Sequence, residues 1–103
     1  MTVIERIEQQ LNNNPVLLFM KGTPDFPQCG FSNQAVQILE ACGVPYSAFN
    51  IFEDQELREA LKDYSHWPTY PQLYIKGELV GGCDIITDLY KKGQLKTMLE
   101  ATV

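Results

Sequence analysis

Five consecutive apolar residues, Val16-Leu17-Leu18-Phe19-Met20, stand between Pro15 and the breaker Lys21-Gly22-Thr23-Pro24. An apolar run of this length without alternation reads as a strand covered on both faces, the condition of a central strand in an α/β sheet. It is far shorter than the ~20 residues a membrane-spanning helix requires. The rest of the chain must supply cover for both sides of that strand. A length of 103 residues with 45% hydrophobic content suits one domain with one core, expected over residues 1–103.

The flanking patterns supply that cover. Thr2 followed by Glu5 is a capping box, and Val3, Ile7 and Leu11 recur at helical spacing, which predicts a helix over residues 3–12. A core helix is predicted over 31–42 from Ala35, Val36, Ile38, Leu39 and Cys42, with Gly43 as its stop. Residues 46–51 read as a second strand, followed by a helix carrying Leu57, Ala60, Leu61 and Tyr64 and capped by Asp54. Gln72–Ile75 and Glu78–Val80 flank Lys76-Gly77 as an antiparallel hairpin. Asp84 is expected to cap a further helix ending at Gly93, with a last helical stretch through Leu95, Met98 and Leu99. Two parallel strands joined through a helix, then a hairpin, imply a four-stranded mixed sheet with about five helices on its two faces, a thioredoxin-like α/β arrangement.

A net charge of −5 argues against broad attraction to nucleic acid or anionic lipid, so neither is expected as a partner. Met1–Arg6 shows neither a basic-then-apolar secretory pattern nor an Arg- and Ser-rich transit pattern, and a cytoplasmic location is expected. The three cysteines, Cys29, Cys42 and Cys83, are odd in number and far apart, unlike a disulfide framework, so at least one free thiol is expected. Together with the lone His66 they also lack the close ligand pairs of a structural zinc site.

Cys29 is the chemically special thiol. It falls between the first strand and the second helix, where unpaired N–H groups and the helix dipole favour a thiolate, and Lys21 is a candidate neighbouring cation. The position three residues on, where a resolving cysteine would stand, is Ser32, so an internal dithiol reaction is excluded. Cys42 falls on the apolar stripe of that helix and is expected to be buried.

At Cys29-Gly30-Phe31-Ser32 the sequence resembles the monothiol glutaredoxins known by that tetrapeptide. Met20-Lys21-Gly22-Thr23-Pro24, Trp67-Pro68-Thr69-Tyr70-Pro71-Gln72 and Gly77-Glu78-Leu79-Val80-Gly81-Gly82-Cys83-Asp84 agree in order and spacing, as does the acidic helix with Arg58. The resemblance covers essentially the whole chain. It implies a glutathione site in which Lys21 and Arg58 pair with the glycine carboxylate. It also implies a cis bond before Pro71, with the backbone of Tyr70 facing the cysteinyl part. Cys83 and Asp84 would receive the γ-glutamyl end at a helix start. Cys83 is by the same resemblance a second thiol able to pair with Cys29 on oxidation.

Three functions follow as expectations. The first, which the resemblance implies, is carriage of a 2Fe-2S cluster bridging a homodimer, with Cys29 and a glutathione thiolate from each side completing four ligands. The resemblance adds transfer to apo iron-sulfur proteins and BolA-type partners. The second is removal of glutathione from mixed disulfides, Cys29 acting as nucleophile and free glutathione as resolving thiol. The segment Thr23–Pro27 ahead of Cys29 is typical of the poorly oxidoreductive branch, which favours carriage over turnover. The third is an adaptor that binds partners without thiol chemistry.

Overall fold

A computed structural model describes residues 1–102. The predicted central strand forms as β1 (Val16–Met20), with all five residues buried. Alternation sends Val16, Leu18 and Met20 to one face and Leu17 and Phe19 to the other, and each set joins a different core. The first face packs on α2 (Gly30–Cys42), α4 (Cys83–Lys91) and α5 (Gln94–Glu100) through residues including Ala35, Leu39, Ile86 and Leu95. The second packs on α1 (Val3–Asn13) and α3 (Gln55–Ser65) through Ile7, Leu11, Leu57 and Leu61. At ~25 cal/mol per Å² of apolar surface removed from water, two such layers are what hold the sheet between the helices.

β2 (Ser47–Asn50) runs parallel to β1 with Met20 opposite Asn50. β3 (Gln72–Ile75) runs antiparallel to β1 with Leu18 opposite Leu73, and β4 (Glu78–Gly81) completes the order β2-β1-β3-β4. The β3–β4 turn is Lys76-Gly77 with φ of 52° and 80°, the pair of positive values that matches the twist of a two-residue hairpin. A bulge between Leu73 and Tyr74 interrupts the β3–β4 register.

The predicted caps form with one exception. Thr2 Oγ1 accepts from Glu5 N–H at 3.1 Å while Glu5 Oε1 accepts from Thr2 N–H at 3.0 Å. Asp54 accepts from Leu57 N–H at 3.0 Å, and Arg6 ties the start of α3 to α1 through Asp54 and Glu56. The exception is Asp84. Helix α4 begins two residues earlier than that cap implies, at Cys83, with Gly82 as its cap. Asp84 already has a place in the first helical turn, where its carboxylate complements the dipole. The second strand is also shorter than predicted, because Asn50 diverts the chain into a 3-10 turn at Ile51–Glu53.

Candidate functional site

Helix α2 opens immediately after Cys29, whose extended backbone (φ −154°, ψ 137°) makes it the cap residue. The sulfur closes no full capping hydrogen bond. Ser32 N–H nevertheless faces it and is the main reason the thiol pKa is lowered, against the opposing cost of burial. Phe31 N–H, the charge of Lys21 and the Ser32 hydroxyl add to the lowering in that order. No acidic residue in the first turn of α2 works against the thiolate. Cys29 is partly exposed, whereas Cys42 is buried in the α2 core with its pKa raised by that burial. Cys83 is also buried and raised, first by desolvation and further by the charges of Asp84 and Cys29. The three thiols are therefore chemically distinct, and only Cys29 combines access with stabilisation of the anion.

The loop leading to Cys29 is locked rather than open. Lys21 O accepts from Gln28 N–H at 2.9 Å, and Thr23 and Phe26 exchange backbone hydrogen bonds of 3.3 and 3.1 Å. Gly22 is essential to that closure. Its φ is +90°, and a Cβ there would fall 2.5 Å from Phe26 O and 2.7 Å from Gln28 N. Ser32 is wholly buried and accepts from Lys21 N–H at 3.1 Å. The residue in the resolving-cysteine position thus joins the strand end to the helix start.

Cys29 opens on a groove of about 360 Å³. Lys21 and Phe31 flank it on one side, Thr69, Tyr70 and Pro71 line another, and Gly82, Cys83 and Asp84 close it at the start of α4. Five of the six residues singled out in the sequence, Lys21, Cys29, Tyr70, Cys83 and Asp84, meet there. The Tyr70–Pro71 bond is cis. Tyr70 is only 5% exposed, and its hydroxyl donates to Arg58 O at 2.7 Å, which commits the ring to α3 rather than to the groove. Arg58 itself is not among the groove's lining residues; its guanidinium carbon is 5.2 Å from the centre of the Phe52 ring. Its Nε is shielded from solvent without an acceptor. Among the described residues, no carboxylate forms an ion pair with Lys21 or Arg58.

Two supports escape the pattern of apolar residues. Gln72 is wholly buried, and its Nε2 donates to Trp67 O at 3.1 Å and to Thr69 O at 3.2 Å, holding the segment before the cis bond. Tyr74 donates its hydroxyl to Gln72 Oε1 at 3.3 Å, and burial pushes that phenol's pKa up to about 12. The signal for Gln72 was a lone amide inside an otherwise apolar strand. Thr69 and Phe31 also line the groove without having been singled out as ligand residues. A larger groove of about 640 Å³ between β4 and the last two helices has no cysteine or histidine in its lining. Among the described residues, no three His, Cys, Asp or Glu side chains gather to hold a metal ion. Among the described residues, no helix is long and apolar enough to cross a membrane.

Comparison with known proteins agrees with this geometry. The glutaredoxin family profile matches residues 16–80. Glutaredoxin 4 of Haemophilus ducreyi is 48% identical over 99% of this chain and 95% of its own length. The mitochondrial monothiol glutaredoxin-S15 of Arabidopsis thaliana is 52% identical over 91% of this chain and 56% of its own length. Among solved structures, reduced poplar apo GrxS14 superposes with a TM-score of 0.84 at 48% identity, covering 98% of this chain and 93% of that one. The relatives, the thioredoxin-like sheet and the single poised cysteine converge: the chain belongs to the glutaredoxin family, on its monothiol, glutaredoxin 4-like branch.

Proposed function

We propose that this chain, as one glutaredoxin domain over residues 1–103, carries a 2Fe-2S cluster bridging a homodimer and passes it to apo iron-sulfur proteins, with glutathione as co-ligand. The observation that carries the reading is one accessible, anion-stabilised thiol at a site where, among the described residues, no three ligating side chains gather, the neighbouring Cys83 being buried with its pKa raised. A cluster ordinarily held by four thiolates then needs three from outside the chain. A second copy supplies one, and two glutathiones supply the rest. The residues fit glutathione. Lys21 and Arg58, which form no ion pair with a carboxylate among the described residues, suit its glycine carboxylate. The main chain of Tyr70 suits its cysteinyl part, because the Tyr70 hydroxyl is spent on α3. Cys83 and Asp84 at the start of α4 suit the γ-glutamyl end, with N–H groups for its carboxylate and the Asp84 side chain for its ammonium. Because two ligands are exchangeable small thiols, the cargo leaves readily. BolA-type proteins are the proposed partners, and the proposed location is the cytoplasm, with neither nucleic acid nor membrane bound.

The lowered pKa of Cys29 favours one further activity, slow reduction of glutathione mixed disulfides. The Cys29 thiolate attacks the glutathione sulfur of a protein mixed disulfide, releasing the protein thiolate and leaving Cys29 joined to glutathione. A second glutathione thiolate attacks that bond, giving glutathione disulfide and restoring the Cys29 thiolate. Ser32, with its hydroxyl held by Lys21 N–H, takes no part in resolution. Cys29→Ser is expected to abolish both cluster assembly and disulfide turnover while leaving the thermal midpoint within a few degrees. Retention of both activities would refute the site assignment and leave an adaptor role.

A further inference from the structure

Asn50 ends β2 opposite Met20 and is half-buried beside the groove's cation side. Its Oδ1 accepts two backbone hydrogen bonds, from Gly22 N–H at 3.0 Å and from Phe52 N–H at 3.0 Å. The first fixes the residue next to Lys21. The second fixes the 3-10 turn whose Phe52 ring lies 5.2 Å from the guanidinium carbon of Arg58. One side-chain oxygen therefore joins the segment that carries Lys21, in the groove lining, to the turn whose Phe52 ring supports Arg58 outside it. Lys21 is otherwise held by Ser32 at its N–H and by Gln28 at its carbonyl, and neither contact reaches the segment that supports Arg58.

We propose that Asn50 is a positioning residue that sets Lys21 and Arg58 at a mutual spacing suited to one carboxylate of glutathione. The proposal rests on the reading of these two cations as the carboxylate site. It goes beyond that reading by giving the site's geometry a single determinant outside the groove. A carboxylate shared between two cations is sensitive to their spacing, because charge-assisted hydrogen bonds need both distance and direction. The alternative role for Asn50 is a cap of the 3-10 turn alone, which would affect stability without affecting the ligand.

The test is calorimetric titration of reduced glutathione into the full chain and its variants, each first checked for folding by circular dichroism. Lys21→Ala/Arg58→Ala is expected to weaken binding at least tenfold; unchanged binding overturns the cation reading and the proposal with it. Given that loss, Asn50→Ala is expected to weaken binding about tenfold in the parent, one decade in dissociation constant. In the background lacking both cations it should add no more than about twofold, because residues that act through one another are not additive. Asn50→Asp keeps an acceptor for both N–H groups and is expected within about threefold of the parent, its added charge limiting the recovery. An Asn50→Ala variant that binds like the parent, or that weakens binding equally in both backgrounds, overturns the proposal while leaving the cation reading intact. Phe52→Leu keeps the test open if Asn50→Ala does not fold, since Phe52 is exposed and its ring lies against the Arg58 guanidinium. It is expected to weaken glutathione about threefold, and unchanged binding overturns the arm that runs through Arg58.

Discussion

Replacing Gln72 by Met probes whether the groove's second wall depends on one buried amide. Methionine matches the length of glutamine but offers no strong donor or acceptor. The change removes the donors to Trp67 O and Thr69 O and the acceptor for the Tyr74 hydroxyl. Trp67 O keeps a weak partner in Ser65 Oγ at 3.4 Å, so the main losses fall on Thr69 O and Tyr74. Each buried polar group left unpaired costs about 1–3 kcal/mol, and local relaxation recovers part of that. Burying a thioether in place of an amide offsets a further fraction, which leaves a net loss of about 2–3 kcal/mol. For a domain of this size 1 kcal/mol corresponds to ~4–8 °C, so the thermal midpoint should fall by about 10–20 °C. Differential scanning calorimetry measures that fall. Titration with reduced glutathione at a temperature where the variant is folded should also show weaker binding, because Thr69, which lines the groove, loses its anchor. A midpoint within about 3 °C of the parent would refute the claim that Gln72 holds this wall.

Other perturbations test the thiol and its loop. Alkylation followed by mass spectrometry at neutral pH should modify Cys29 first, since its pKa is lowered while burial raises those of Cys42 and Cys83. The depressed Cys29 pKa also contributes stability that is present above the unfolded thiol's pKa and lost as pH falls through the folded value; the raised thiols contribute in the opposite sense, favouring the unfolded chain as pH rises through its own thiol range. Ser32→Ala should shift the pH profile of Cys29 alkylation upward by removing the hydroxyl's contribution, although Ser32 N–H retains the larger one. The same change leaves Lys21 N–H without its acceptor and should cost about 1–2 kcal/mol in urea denaturation. Gly22→Ala places a methyl against backbone atoms at 2.5 and 2.7 Å with φ at +90°, and should destabilise the chain by roughly 2 kcal/mol or more.

The sheet was legible because Val16–Met20 had no polar face, and an uninterrupted apolar strand demands layers on both sides. The caps at Thr2 and Asp54 were legible because local side chains satisfy them, whereas Asp84 misled because the preceding glycine already provides the extended cap. Cys29 was found from its place before a helix and Ser32 from its place in the motif. The burial of Ser32 against Lys21 N–H was not visible, since a contact across eleven residues depends on how the loop closes. Asn50 and Gln72 were missed for the same reason: both act on backbone groups brought close only by tertiary packing, and neither residue type carries a periodic signal. Arg58 was named from the motif, yet its placement over Phe52 rather than along the groove follows from the 3-10 turn at Ile51–Glu53, of which the sequence reading covered only Ile51, as the end of a strand.

The most direct test of the central claim is anaerobic reconstitution with iron, sulfide and reduced glutathione, followed by visible circular dichroism, size exclusion and quantification of bound glutathione. The expected product is a coloured dimer holding one 2Fe-2S cluster and two glutathiones, formed only when glutathione is present and reverting to colourless monomer when the cluster is removed. A coloured species that assembles equally well without glutathione, or that survives Cys29→Ser, would contradict it.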